Sequence, residues 1–152
     1  MNLLEILEAK QLITQSVSRM LKNYSDEWNL SFFEALIRTN ILSENSLLEI
    51  LSGELSLSHY YSIDRLDLTE GACTVIDFRD ACNYICFNLG KSGGLYRIVV
   101  NNPLDCTLLE FLDKKFDDYE IVIAEKKLII EATMKYYGLN SKIPTFDREE
   151  NE

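Results

Sequence analysis

The chain has 152 residues, of which 47% are hydrophobic and 11% aromatic, and it contains six glycines and two prolines. This composition predicts a chain that folds over most of its length, with one hydrophobic core or two small ones. The formal net charge of −10 argues against nucleic acid and anionic membranes as partners, because both require a basic surface.

The first 55 residues contain a helix-turn-helix pattern twice. Leu7 matches Leu36 at an offset of 29, whereas Leu21 matches Leu51 at an offset of 30, so the second helix of the second copy has gained one residue. The apolar positions recur at helical spacing on both sides of each break. They are Leu3, Ile6, Leu7, Val17, Met20 and Leu21 in the first copy, and Phe32, Ala35, Leu36, Leu47, Ile50 and Leu51 in the second.

The second helix of each copy is expected to begin at a hydroxyl residue, Thr14 or Ser43. The side-chain oxygen of such a residue accepts a hydrogen bond from a free backbone N–H of the first helical turn. Neither copy has an apolar face wide enough to fold alone, so we expect the two to pack together as one helical subdomain over residues 1–58. Doublets of this kind usually bind or dock onto other molecules.

The connector between the two copies is predicted at residues 24–30, and it contains the single tryptophan, Trp28. Trp28 is expected to fill the core beneath this connector, and an exposed partner anchor is the alternative. Phe32 and Phe33 lie close by at the start of the second copy. Trp28, Phe32 and Phe33 are therefore the candidate protein interface, with any exposed member as the natural anchor.

The pattern changes near residue 60. We predict an irregular link over residues 55–70, a short helix near residues 77–82, and two strands over residues 84–89 and 95–100. The adjacent glycines Gly93 and Gly94 lie between these strands, which is typical of a β-hairpin. A helix after Asp105, a third strand at residues 121–123 and a closing helix over residues 125–137 follow, with Gly138 as its stop.

The predicted fold class is therefore α+β. A duplicated helix-turn-helix subdomain over residues 1–58 precedes a small α+β subdomain over residues 59–140, which consists of a hairpin, a helix, a strand and a helix. Residues 141–152 are predicted to be an acidic tail or linker.

Met1 is followed by an amphipathic helix rather than a signal peptide, and no run approaches the roughly 18 apolar residues of a membrane span. The four cysteines, Cys73, Cys82, Cys86 and Cys106, form no Cys-x-x-Cys pair and are expected to be reduced thiols. We therefore expect a cytoplasmic domain without direct membrane insertion.

Two apparent catalytic motifs have simpler explanations. Gly90-Lys91-Ser92 ends like a phosphate-binding loop, but Ile85 occupies the position of the first glycine, and a strand follows instead of a helix. A hairpin is the better interpretation. His59 is the single histidine and has no sequence cue to a paired nucleophile. We therefore predict no catalytic residue, no metal ligand and no cofactor-binding residue, and the chain is not expected to be an enzyme.

Several motifs together resemble the N-terminal domain of type II secretion and type IV pilus assembly ATPases. The run from Ser31 to Ser43 is similar to the family's short helix, turn, and Ser/Thr-initiated second helix. Gly93-Gly94-Leu95 and the run 98–105 resemble the family's strand that ends in a Pro-x-Asp turn. Residues 121–124 and 136–138 resemble its last strand and helix, so the resemblance covers residues 2–138.

In part of this family, the helical doublet binds cyclic di-GMP, and this chain departs from the binding pattern at each polar or glycine position. The opening arginine is replaced by Asn2 and Ser31, the first glycine by Leu4 and Phe33, the second glycine by Gln11 and Asn40, and the closing glutamine by Tyr24 and Glu54. No arginine remains to pair with a phosphate, and Glu54 would repel one. We therefore expect no cyclic di-GMP binding at the doublet.

The resemblance implies a non-catalytic docking domain that tethers a motor ATPase to the cytoplasmic domain of an inner-membrane platform protein. The domain is then cytoplasmic and peripheral to the inner membrane through its partner. The alternative is a regulatory domain that senses a cyclic dinucleotide in a degenerate mode.

Overall fold

The computed structural model describes residues 2–137, which form two compact units with the boundary between Ser56 and Leu57. The first unit is helical and the second combines helices with a three-stranded sheet, which confirms the α+β class. The helical unit contains α1 (Leu3–Ala9), α2 (Gln15–Trp28), α3 (Phe32–Arg38) and α4 (Glu44–Leu55). The second unit contains α5 (Phe78–Tyr84), β1 (Cys86–Ser92), β2 (Leu95–Val100), α6 (Cys106–Lys115), β3 (Tyr119–Ile123) and α7 (Lys126–Ala132).

The duplicated pattern of the helical unit is present in its caps and in its core. The hydroxyls of Thr14 and Ser43 accept hydrogen bonds from Val17 and Ser46, so both predicted N-caps are confirmed. The inward residues of all four helices are buried: Leu3, Ile6, Leu7, Ser18, Leu21, Phe33, Ala35, Leu36, Leu47, Leu48 and Leu51. These side chains form the core of this unit.

The caps and the buried leucines of α2 and α4 match at different offsets. The caps Thr14 and Ser43 are 29 positions apart, whereas the buried leucines Leu21 and Leu51 are 30 apart. Leu47 and Leu48 are both buried, at offsets of 29 and 30 from the buried Ser18, so the buried face of α4 is one residue wider than that of α2 and keeps its position relative to the cap. The gain of one residue inside the second helix stays a prediction.

The sheet of the second unit has the order β1-β2-β3. β1 and β2 are antiparallel and form the predicted hairpin, while β2 and β3 are parallel and are joined through α6. β1 has an irregularity between Asn88 and Gly90, where Gly90 adopts φ +103°. A Cβ on Gly90 would lie 2.6 Å from the Thr69 carbonyl oxygen, so a side chain has no room there.

Both outer edges of the sheet are partly covered by the segment before α5. Ser58 and Tyr60 form backbone hydrogen bonds with Ile123 of β3, while Thr69 donates its backbone N–H to Leu89 of β1. The guanidinium of Arg97 donates to the Tyr60 hydroxyl at 2.6 Å and to a backbone carbonyl at 3.2 Å. The predicted irregular link thus protects backbone groups that an edge strand would otherwise expose.

Three element boundaries differ from prediction. The predicted connector over residues 24–30 is mostly helix, because α2 continues to Trp28 and ends where Asn29 adopts φ +53°. The predicted strand over residues 84–89 begins at Cys86, because Ile85 adopts φ +51° and ends α5. The closing helix changes to a π-helical turn at Thr133, whose hydroxyl donates to the Ile129 carbonyl at 2.8 Å.

The four cysteines are free thiols, and Cys86 is buried. Among residues 2–137, no helix combines the length and the hydropathy that a bilayer-spanning segment requires. The predicted stop at Gly138 and the predicted tail over residues 141–152 lie outside the described residues.

Candidate functional site on the helical unit

The turns inside the two copies share one backbone conformation. Gln11 adopts φ +58° and Asn40 adopts φ +61°, directly after the ends of α1 and α3. In each turn, the next residue donates its N–H five residues back, from Leu12 to Leu7 and from Ile41 to Leu36. This geometry is the Schellman motif, in which glycine is the usual left-handed residue. These positions correspond to the second glycine of the resembled pattern, and in this chain non-glycine residues adopt the left-handed conformation.

The other polar positions of that pattern have structural partners in this chain. Asn2 caps α1 through reciprocal hydrogen bonds with Glu5, and Ser31 caps α3. The Glu54 carboxylate lies 3.0 Å from the Lys10 ammonium. Each of these side chains therefore stabilises the doublet itself.

Phe33 and Leu4 occupy the first glycine position of the pattern. Phe33 is 2% exposed and belongs to the core of the helical unit, whereas Leu4 is half-buried. Phe33 therefore cannot contact a partner, and its place in the predicted interface is corrected. The cause is its position around the axis of α3, on the same buried face as Ala35 and Leu36.

An exposed apolar stripe runs along α2. Met20 is 65% exposed, Tyr24 is half-buried, and Trp28 is 59% exposed. A spacing of four residues places the three side chains on one side of the helix. The Tyr24 and Trp28 rings lie 6.3 Å apart at 41°, so they support one another. We call Met20, Tyr24 and Trp28 the α2 stripe.

The exposure of Trp28 shows that the predicted core role of this residue is wrong. Trp28 does not fill the core beneath a connector, because α2 continues through residues 24–28 and carries the ring outward. Phe32 is half-buried at the start of α3. The partner-contacting role of Trp28 and Phe32 remains a prediction. Met20, which the sequence analysis placed on the inward apolar face of the first copy, is exposed instead, and Tyr24 was assigned to the connector. The four-residue spacing of Met20, Tyr24 and Trp28 becomes a signal once α2 is extended.

Charged side chains are unevenly distributed along α2. Arg19 and Lys22 lie in its middle, while Asp26 and Glu27 lie in the last turn beside Trp28, and all four are exposed. The last turn contains no basic residue. Since the carboxyl end of a helix carries a partial negative charge, acidic residues there are destabilising by a few tenths of a kcal/mol. A cation from another molecule would relieve this repulsion.

Lys91, Ser92 and His59, the residues of the two apparent catalytic motifs, lie in or beside the sheet of the second unit. Lys91 and Ser92 lie at the end of β1, and the Lys91 ammonium lies 5.3 Å from the Tyr96 ring centroid. His59 pairs with Ile123 at the sheet edge and stacks on Tyr61 at 4.2 Å. Among residues 2–137, no group of three His, Cys, Asp or Glu side chains is arranged to hold a metal ion.

Burial affects the thiols of the second unit. It raises the pKa of Cys73 to about 11, and burial together with the Asp80 charge raises the pKa of Cys86 to about 12. A thiol must lose its proton to act as a nucleophile, so these two environments suppress reactivity.

No protein-family model matches the sequence, and no curated protein matches it. A solved structure of MshE with cyclic di-GMP shares 26% sequence identity with this chain and superimposes with a TM-score of 0.74. The match covers 90% of this chain and 99% of the MshE chain.

Two crystal forms of the N-terminal domain of XpsE show the same fold. They are 14% and 15% identical to this chain, with TM-scores of 0.59 and 0.65. Each covers 88% of this chain, and the match covers 93% and 92% of the XpsE chains. The resemblance predicted from the sequence motifs is confirmed: the chain has the fold of an N-terminal domain of type II secretion and type IV pilus ATPases.

Proposed function

We propose that this chain is a non-catalytic docking domain, which tethers a secretion or pilus motor ATPase to the cytoplasmic domain of an inner-membrane platform protein. The α2 stripe is the docking surface, and Trp28 is its anchor. The proposal rests on the exposure of Met20 and Trp28, which lie in line on one helix with the half-buried Tyr24 between them. Exposed apolar patches on otherwise polar surfaces mark sites of protein association.

The α2 stripe lies on a rigid support. The Thr14 cap fixes the start of α2, and the buried residues Ser18 and Leu21 fix its inner face. The Ser18 hydroxyl also donates to the Glu8 carboxylate at 2.8 Å, which ties α2 to α1. A partner therefore meets side chains whose backbone is already ordered, and less conformational entropy is lost on binding.

The charges around Trp28 favour a basic partner surface. Asp26 and Glu27 adjoin the exposed ring at a helix end that disfavours negative charge. The chain as a whole carries a net charge of −10. A basic patch on the platform protein would associate faster with such a surface and would orient itself on it.

Calorimetry tests this proposal. The complete chain is titrated with the purified cytoplasmic domain of the platform protein at several salt concentrations, and separately with cyclic di-GMP. We expect saturable protein binding that weakens as the ionic strength rises, because salt shortens the screening length to about 8 Å at 0.15 M. Tight binding of cyclic di-GMP without protein binding would contradict docking.

A cyclic dinucleotide sensor is the second candidate, because the similar MshE structure contains cyclic di-GMP. The left-handed turns at Gln11 and Asn40 also support it. Against it stands the carboxylate of Glu54, where the resembled pattern has glutamine. The substitution Glu54→Gln removes that charge. If the doublet is a sensor, this variant binds cyclic di-GMP more tightly than the unmodified chain; if it is a docking surface, neither protein binds the dinucleotide.

A further inference from the structure

The second unit contains an open cavity of about 270 Å³ that the proposed docking surface does not include. It lies where the hairpin tip at Gly94 approaches the end of α6 and the turn that leads to β3. The rings of Tyr96 and Phe116 line it, and their centroids are 5.0 Å apart at 57°. Phe116 is buried and Tyr96 is half-buried, so Tyr96 provides most of the aromatic surface that a ligand can contact.

Four charged side chains surround this cavity. Lys91 and Lys115 contribute two ammonium groups, and Asp117 and Asp118 contribute two carboxylates. None of the four forms an ion pair within the described residues 2–137. The Lys91 ammonium faces the Tyr96 ring, whereas the Lys115 ammonium lies 5.8 Å from the Phe111 centroid. Charges of both signs thus remain available to a ligand.

The loop beside the cavity is held in an unfavourable conformation. Val75, which also lines the cavity, adopts φ +70°, a region that β-branched residues rarely occupy. The buried amide of Asn88 donates to the Thr74 carbonyl at 2.7 Å and accepts from the Gly90 N–H at 2.8 Å, so the strain is maintained from within. Residues strained in this way concentrate at binding sites.

We infer that this cavity binds a segment of the docking partner in which an arginine and an acidic side chain are adjacent. An anion alone would meet Asp117 and Asp118, and a cation alone would meet Lys91 and Lys115. In a segment with both charges, the guanidinium can pair with the two carboxylates and the acidic side chain with the two ammonium groups. This inference rests on the proposed function, because it gives the same partner a second contact.

The test is an NMR titration of the complete 15N-labelled chain with three capped dipeptides. Acetyl-Arg-Asp-amide has both charges, whereas acetyl-Gln-Asp-amide and acetyl-Arg-Asn-amide each lack one. We expect saturable shifts at the amides of Gly94, Tyr96 and Phe116, and a Kd for the first peptide at least fivefold lower than for either of the others. Equal Kd values, or no saturable shift, would overturn the inference.

Paired variants locate the two charges. Lys91→Ala with Lys115→Ala removes the ammonium groups, and Asp117→Asn with Asp118→Asn removes the carboxylates. The lysine pair should abolish the preference over acetyl-Arg-Asn-amide, and the aspartate pair should abolish the preference over acetyl-Gln-Asp-amide. The control Lys114→Ala with Glu110→Gln, on the same α6 helix, should leave both preferences unchanged. A preference that survives both cavity pairs would contradict the site.

The two proposals fail in distinguishable ways. Partner binding through Trp28 without peptide binding would refute the cavity inference alone. Peptide binding by a chain that binds no platform protein would contradict docking and, with it, the assignment of the occupant.

Discussion

Gln11 and Asn40 show that non-glycine residues can occupy the left-handed position at which glycine usually ends a helix. Both adopt left-handed φ values in turns whose hydrogen bonds are those of a glycine-ended helix. Glutamine is sterically strained at left-handed φ, whereas asparagine adopts this conformation more readily. The two turns therefore differ in strain although their geometry is the same.

The first prediction concerns these turns. Gln11→Gly should raise the free energy of unfolding by about 0.5–1 kcal/mol, because glycine adopts positive φ without a Cβ clash. Asn40→Gly should give a smaller gain. Urea denaturation of both variants measures the difference, and Gly53→Ala, in the interior of α4, is a useful comparison because alanine there should also stabilise. A loss of stability in Gln11→Gly would contradict the strain argument.

A second prediction at this scale concerns the thiols. At pH 8, the exposed Cys106 should react with iodoacetamide well before Cys73 and Cys86, whose pKa values are about 11 and about 12. In the unfolded chain, a thiol loses its proton near pH 8.5–9, so the stability that burial of neutral Cys86 provides is present below that pH. It is lost as the pH rises toward 12. Mass spectrometry of the labelled protein checks the order, and equal labelling of all sites would contradict it.

At the scale of elements, periodicity predicted most of the architecture. The caps Thr14 and Ser43, the duplicated core and the strand at residues 95–100 follow from local patterns. The boundary at Ile85 does not, because β-branched residues rarely adopt positive φ. The boundary at Asn29 was missed, although asparagine often ends a helix in this conformation. The π-helical turn after Ala132, which begins at the hydrogen-bonded Thr133, was likewise not predicted from periodicity.

A third prediction tests the shared core of the doublet. Leu7 and Leu36 occupy equivalent positions in the two copies and are completely buried. Leu7→Ala and Leu36→Ala should each lower the free energy of unfolding by about 2–5 kcal/mol, the usual range for such a cavity. Met20→Ala, on the exposed α2 stripe, should change it by less than about 0.5 kcal/mol. Similar values for all three in denaturant melts would show that the doublet does not pack in this way.

At the scale of the molecule, the hairpin at Gly90-Lys91-Ser92 excludes a phosphate loop in the second unit. The chain should therefore neither bind ATP at micromolar concentration nor hydrolyse it. Calorimetry and a phosphate-release assay measure both. Micromolar affinity that disappears in Lys91→Ala would contradict the hairpin interpretation.

The candidate docking surface was only partly predictable. Trp28 stood out as the single tryptophan, but whether it faced the core or solvent depended on where α2 ends. Phe33 was predicted as a candidate interface residue, but it lies on the buried face of α3 and belongs to the core. The α2 stripe became visible once the helix length was known, because its members align only if the helix is continuous through residue 28.

The most direct test of docking is a calorimetric comparison of two Kd values. The cytoplasmic domain of the platform protein is titrated into the unmodified chain and into the Trp28→Ala variant. Truncating an exposed aromatic anchor should cost about 2 kcal/mol or more, so the Kd should rise about 30-fold. Leu66 is 96% exposed but lies outside the α2 stripe, so Leu66→Ala should leave the Kd unchanged. Circular dichroism confirms that both variants keep their helical content. Equal Kd values for Trp28→Ala and the unmodified chain would contradict the claim that this domain docks through α2.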